Sequence, residues 1–188
     1  MKYVKTLGLL VVAAASMAAF AAAPALATTL TSPTGTVATP TIKAESEGHM
    51  TMQSTGFQCP WALEGTVESH GSGKPTVIPL SKLTIGTCTG NWQPATVVPG
   101  KLEIHWTSAY NGTVTWTGGT IEWTLGGFVF CGFATGGSTA GTITGGSPAT
   151  IHLNATIGHH SGSIGCGTGS SLTGSLKVTA PTSLYVDS

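Results

Sequence analysis

After residue 27 the chain alternates apolar and polar side chains with a period of two, in short runs separated by glycine pairs. Residues 101–106 place Leu102, Ile104 and Trp106 on one face, and residues 113–117 and 120–125 repeat the pattern. No segment after Ala27 keeps a 3.6-residue period over three turns, so strands are predicted and helices are not. Gly118-Gly119 separates two of these runs and predicts a two-residue hairpin, because a type I′ turn needs positive φ at both central residues. Pairing Thr117 with Thr120 then sets Trp116 against Ile121, Thr115 against Glu122 and Val114 against Trp123. Like meets like in each pair, and a one-residue slip would turn every side chain to the wrong face.

Further strands are predicted over residues 128–133, 139–144, 149–157, 171–178 and 183–186, and upstream over 34–44, 50–57, 63–68 and 77–85. Gly136-Gly137, Gly145-Gly146 and the glycine-rich run 162–169 separate those in the C-terminal half. Threonine and valine recur in these runs, and β-branched side chains suit a pleated surface. Strands at intervals of roughly 8–12 residues predict an all-β fold, an antiparallel β-sandwich with a β-barrel as the alternative. The expected organisation is a signal peptide over 1–27, a flexible Thr/Pro-rich lead-in over 28–40 and a single β domain over 41–188.

The leader reading rests on Lys2 and Lys5, the uncharged apolar stretch from 6 to 23, Pro24 and the small-residue motif Ala25-Leu26-Ala27. Cleavage is expected before Thr28, leaving 161 of the 188 residues with no membrane insertion, and a secreted or extracellular location follows. In an oxidising compartment the four cysteines are expected to pair. Cys59–Cys88 and Cys131–Cys166 is the favoured arrangement, since each bond joins segments a few strands apart. No local ligand spacing among cysteines and histidines calls for zinc.

Charge narrows the function classes. Only 7% of residues are charged, against about 25% in an average soluble domain. Arginine is absent, so there is no basic footprint for nucleic acid. Asp187 is the only aspartate, which excludes carboxylate-rich calcium loops.

The run GTITGGSPATIHLNATI at 141–157, the ending KVTAPTSLYV at 177–186 and the NGTVT segment at 111–115 resemble a set of secreted β-rich proteins of high-GC Gram-positive soil bacteria. The alanine-rich leader and the spaced cysteines are similar as well. The resemblance implies export and β structure. That set carries no assigned activity, so no catalytic residue and no cofactor follow from it.

Few residues could carry chemistry. No serine has glycine at both −2 and +2, as a nucleophile elbow requires. Glu103 and Glu122 are the candidate catalytic pair. On the outer strands of a three-stranded meander they would stand about 9.6 Å apart, at the upper edge for an inverting glycosidase. A metal site would have to gather His105, His152 and one of His159-His160 from separate strands; surface histidines are the expectation, with no metal and no cofactor. Trp106, Trp116 and Trp123 are expected in the core. Trp61 and Trp92 are the candidate ligand-binding residues, held near the Cys59–Cys88 bond among loop-like Pro60, Gly90, Asn91 and Pro94, where an exposed ring can stack on a sugar. The expected function is a non-enzymatic binding or structural module that contacts a cell-wall polymer, a glycan or another surface protein. The alternatives are a glycan hydrolase using the paired glutamates and a carrier of a small apolar ligand.

Overall fold

The computed structural model describes residues 28–32, 41–68, 74–162 and 166–188. The leader at 1–27 and the 33–40 part of the lead-in lie outside the described residues. The regular elements named among the described residues are β-strands and the 3-10 turn Thr89–Asn91. In chain order the strands begin with β1 (Thr29–Thr31), β2 (Thr41–Ser46), β3 (Met50–Met52), β4 (Gln58–Cys59), β5 (Trp61–Thr66) and β6 (Thr76–Ile85). Next come β7 (Trp92–Val98), β8 (Lys101–Ser108), β9 (Asn111–Leu125) and β10 (Val129–Thr144). The last three are β11 (Thr150–Gly162), β12 (Gly169–Ala180) and β13 (Tyr185–Asp187).

Eight of these close an antiparallel barrel in the order β2-β5-β6-β8-β9-β10-β11-β12, with β12 returning to β2. The all-β class and both disulfides, Cys59–Cys88 and Cys131–Cys166, are as the sequence predicts. The sandwich gives way to its alternative because β11 is paired along both edges, to β10 and to β12, which leaves no gap at which two sheets could separate. Closure also removes the exposed strand edges that would otherwise template aggregation. The strands are longer than their patterning suggests: β9 has 15 residues and β10 has 16. The strands predicted over 128–133 and 139–144 belong to one strand, which starts at Val129 and leaves Phe128 exposed in the preceding turn, with register shifts between Ala134 and Gly141 where Gly136-Gly137 was expected to break it. Such irregularities increase local twist, and twist lets a long strand wrap around a barrel.

The Gly118-Gly119 hairpin does not form. β9 runs straight through it, pairing with β8 before it and with β7 after it. Trp116 opposes Leu102, and Ile121 opposes Val97 and Phe133. The turn fails because only Gly118, at φ 67°, enters the positive region that a type I′ turn needs at both residues. The facing strand bends at the same level, at Pro99-Gly100, where Gly100 has φ 71°. This double bend shifts the inward parity of β9, so Val114 and Trp116 below it and Ile121 and Trp123 above it all point inward and are buried. A hairpin and a shared bend impose the same apolar pattern on the sequence.

An eight-stranded barrel is just wide enough for side chains to fill. Trp123, Phe133, Ile104, Ile143 and Ile151 are among the fully buried residues inside it. One end is stitched by the disulfides and an aromatic cluster, in which Phe57 lies 4.5 Å from Trp123 and 5.1 Å from Trp92. The other end is closed by β1 against β13, with Leu30 and Val186 completely buried. The lead-in therefore starts as a docked strand, because Leu30 exchanges water for the barrel's open end.

Candidate functional site

The residues singled out from sequence do not converge. Glu103 and Glu122 are not on strands two apart. Glu103 opposes Thr115 on β9, and Glu122 lies seven residues further along β9 itself. That separation is roughly 23 Å at ~3.3 Å per residue, far beyond any glycosidase pair. Glu103 is paired with Lys101 at 2.8 Å, and Glu122 accepts a hydrogen bond from Ser161 Oγ at 3.5 Å. The error follows directly from the hairpin that did not form.

Trp61 is not an exposed ring on a loop. It is 3% exposed on β5, with its ring centroid 6.2 Å from Trp116 and 6.4 Å from Trp123. Trp92 is half-buried against Phe57. Both indoles serve the core, because an aromatic beside a buried disulfide fills the barrel's end. His105, His152, His159 and His160 are exposed on the outer wall, and among the described residues no three metal-ligating side chains come together.

Sequence reasoning missed one pair. His152 Nδ1 and Ser175 Oγ are 2.8 Å apart across β11 and β12. Only the register His152↔Ser175 brings them together, and no local motif signals it. The pair is exposed, and no carboxylate hydrogen-bonds the ring among the described residues, so the third member that orients a catalytic histidine is missing. It is a cross-strand hydrogen bond on a solvated face.

Among the described residues, side chains fill the barrel's interior. A small cavity among Trp61, Leu83, Leu102, Trp116, Leu153 and Leu176 has about 10 Å³ of room. That is at the limit for one water, and its lining is apolar, so it stays dry. The outward positions of β11 are polar and exposed (His152, Asn154, Thr156), while Ile151, Leu153 and Ala155 are buried. A membrane-spanning barrel shows the reverse distribution.

A cleft does exist on the outside, where β11 and β12 meet the β3–β4 turn. It is an open groove of about 550 Å³, lined by Gln53, Ser54, Thr156, Thr168, Ser170 and Ser171, with Ile157, Gly158 and Gly169 as floor. The floor forms because Gly158 faces Gly169 in the ladder, which leaves bare backbone where other residues would stand. A Cβ built on Gly158 meets nothing within 4 Å. The far wall is tied down by three hydrogen bonds. Gln53 N donates to Ser171 O at 2.9 Å, Ser54 N to Ser170 Oγ at 3.1 Å, and Ser171 Oγ to Gln53 Oε1 at 2.9 Å. Ser170 is 7% exposed, so its hydroxyl is a fixed part of the wall.

None of the described residues that line the cleft is titratable. Hydroxyls, a primary amide and open backbone can instead donate to and accept from neutral hydroxyl groups. The electrostatic surroundings agree. From Trp123 to Leu176, a run of 54 residues, there is no lysine, arginine, aspartate or glutamate, and this run builds β10, β11 and most of β12. No protein-family model, no curated protein and no solved structure matches this chain.

Proposed function

We propose that this protein is an exported, non-catalytic binding module that holds a neutral polyhydroxylated polymer, such as a polysaccharide, in the cleft between β11, β12 and the β3–β4 turn. The observation that carries this reading is the cleft itself. Its roughly 550 Å³ opens to solvent along a face of hydroxyls, an amide and apolar atoms, with no lysine, arginine, aspartate or glutamate among the lining residues. A volume of this size falls in the range of small-ligand sites. An uncharged wall favours a neutral partner over an ionic one, since nothing there would offset the desolvation of a charge. Export is supported by the leader pattern, and the two disulfides are consistent with an extracellular location.

The test is retention of the secreted protein on insoluble neutral polysaccharides (cellulose, chitin, starch granules), read as bound fraction against concentration. The Gln53→Ala/Ser171→Ala variant removes two polar walls, and Gly158→Val fills the floor at a strand position with open space. Each should weaken retention about tenfold or more, the loss of one to two good hydrogen bonds, while the melting temperature stays within a few degrees. Retention on none of these polymers, or retention that both variants leave unchanged, refutes the reading.

A further inference from the structure

We propose that Tyr110 and Tyr185 form a second binding site, an aromatic platform on which the ring of a neutral sugar stacks. The platform stands on the turn Ala109-Tyr110 that joins β8 to β9, where Ser108 pairs with Asn111. Both turn residues have positive φ, 40° at Ala109 and 71° at Tyr110. A two-residue hairpin of this kind favours Asn-Gly or Gly-Gly, because an L side chain is strained there. A bulky ring in that conformation is an outlier. The fold nevertheless fixes it: Tyr110 O accepts from Gly145 N at 3.0 Å and from Val186 N at 3.4 Å. Gly145 lets the turn approach this closely, since a Cβ there would lie 2.6 Å from Tyr110 O and 3.1 Å from Tyr185 Cα.

Burial does not offset this strain, because Tyr110 stays 53% exposed. Its ring meets Tyr185 edge to face, with 5.2 Å between centroids and 68° between planes. Such a contact covers one of the pair's four ring faces and leaves others for a ligand. Strain kept at an exposed side chain is characteristic of ligand clamps. The surroundings select the ligand class. Gly146 and Leu184 exchange backbone hydrogen bonds at 2.8 and 3.0 Å, which sets Ser147 beside Ser183. Ser183 Oγ donates to Ser147 Oγ at 2.8 Å. These hydroxyls and the two phenols supply donors and acceptors next to an apolar ring face. A pyranose has the matching halves, a face of C–H groups and a rim of hydroxyls. The platform is separate from the cleft. Thr150 on β11 opposes Thr144 near the Tyr110 turn, whereas the cleft floor is at Gly158. Those eight residues, at ~3.3 Å each, put the two sites roughly 25 Å apart. The exposed-ring role expected of Trp61 and Trp92 thus falls to tyrosines at the other end of the barrel.

The experiment titrates the secreted protein, its tyrosine rings isotope-labelled, with cellohexaose, chitohexaose and maltohexaose, read by NMR. At least one glycan should shift the Tyr110 and Tyr185 ring signals in a saturable way. Tyr110→Phe, which keeps the ring, should bind within about threefold of the natural protein. Tyr110→Gly should weaken binding about tenfold or more. The same variant should melt at or above the natural temperature, because glycine adopts the positive φ without strain. Gln53→Ala/Ser171→Ala should leave the ring shifts unchanged, so failure of the cleft reading is told apart from failure of the platform. Four results overturn the platform: no ring shift with any of these glycans, binding lost in Tyr110→Phe, binding kept in Tyr110→Gly, or a Tyr110→Gly protein that melts more than about 4 °C lower.

Discussion

Replacing Gly100 by alanine tests the double bend that distinguishes this barrel from a hairpin-linked meander. Gly100 has φ 71°, where an L side chain costs about 1–2 kcal/mol. A Cβ there would also strike the opposing backbone: Thr117 O and Gly119 N overlap it, and Gly118 C would lie 2.7 Å away. None of these is the movable end of a side chain, so the two strands must part, and overpacking of that kind costs a further ~1–3 kcal/mol. The sum is about 3 kcal/mol. For a chain of this size each kcal/mol moves the melting temperature by about 2–4 °C, so Gly100→Ala should melt about 6–12 °C lower by calorimetry or circular dichroism. Gly118→Ala is the internal comparison. It has a similar φ of 67°, but its Cβ meets only Gly100 Cα at 4.0 Å, so it should lose only about 1 kcal/mol. Equal losses in the two variants, or a Gly100→Ala protein as stable as the natural one, would show that the strands do not cross closely here.

Other outcomes follow from the same packing. Replacing either cystine by two alanines should cost about 4 kcal/mol in the chain-entropy picture, given sequence separations of 29 and 35, read as a drop in denaturant midpoint with a steeper slope, because the uncrosslinked unfolded chain exposes more surface. Trp61→Ala should cost about 3–5 kcal/mol as a core truncation while leaving polysaccharide retention of the folded fraction intact, a result opposite to that of a stacking platform. Glu103→Gln and Glu122→Gln should each shift stability by less than about 1 kcal/mol, since neither side chain has a buried ion-pair partner.

How much of this was legible before the fold is clearest in particular residues. The alternation around Leu102, Ile104, Val114 and Trp116 named the inward face correctly, and all four are buried. The pairing of Cys59 with Cys88 and of Cys131 with Cys166 was readable from spacing and parity. Partner assignment was harder. The pattern at 113–125 satisfies a tight turn and a shared bend equally well, and only the neighbouring strand, with its own bend at Pro99-Gly100, selects the bend. The misplaced Glu103–Glu122 pair came from that one ambiguity. The cleft was illegible for a related reason: Gln53 and Ser171 are 118 positions apart, and nothing local marks Gly158 as a floor rather than a turn.

The amino-acid order alone determined the local terms: strand propensity, which face each side chain takes, the uncharged character of the C-terminal half and the thiols available to pair. These depend on neighbours one or two residues away, so they survive without knowledge of the fold. The tertiary structure alone decided which edges meet. Closure into a barrel, the burial of Trp61, the Tyr110–Tyr185 pair and the outer cleft each depend on contacts between distant segments, and a period of two is silent about which distant strand lies alongside.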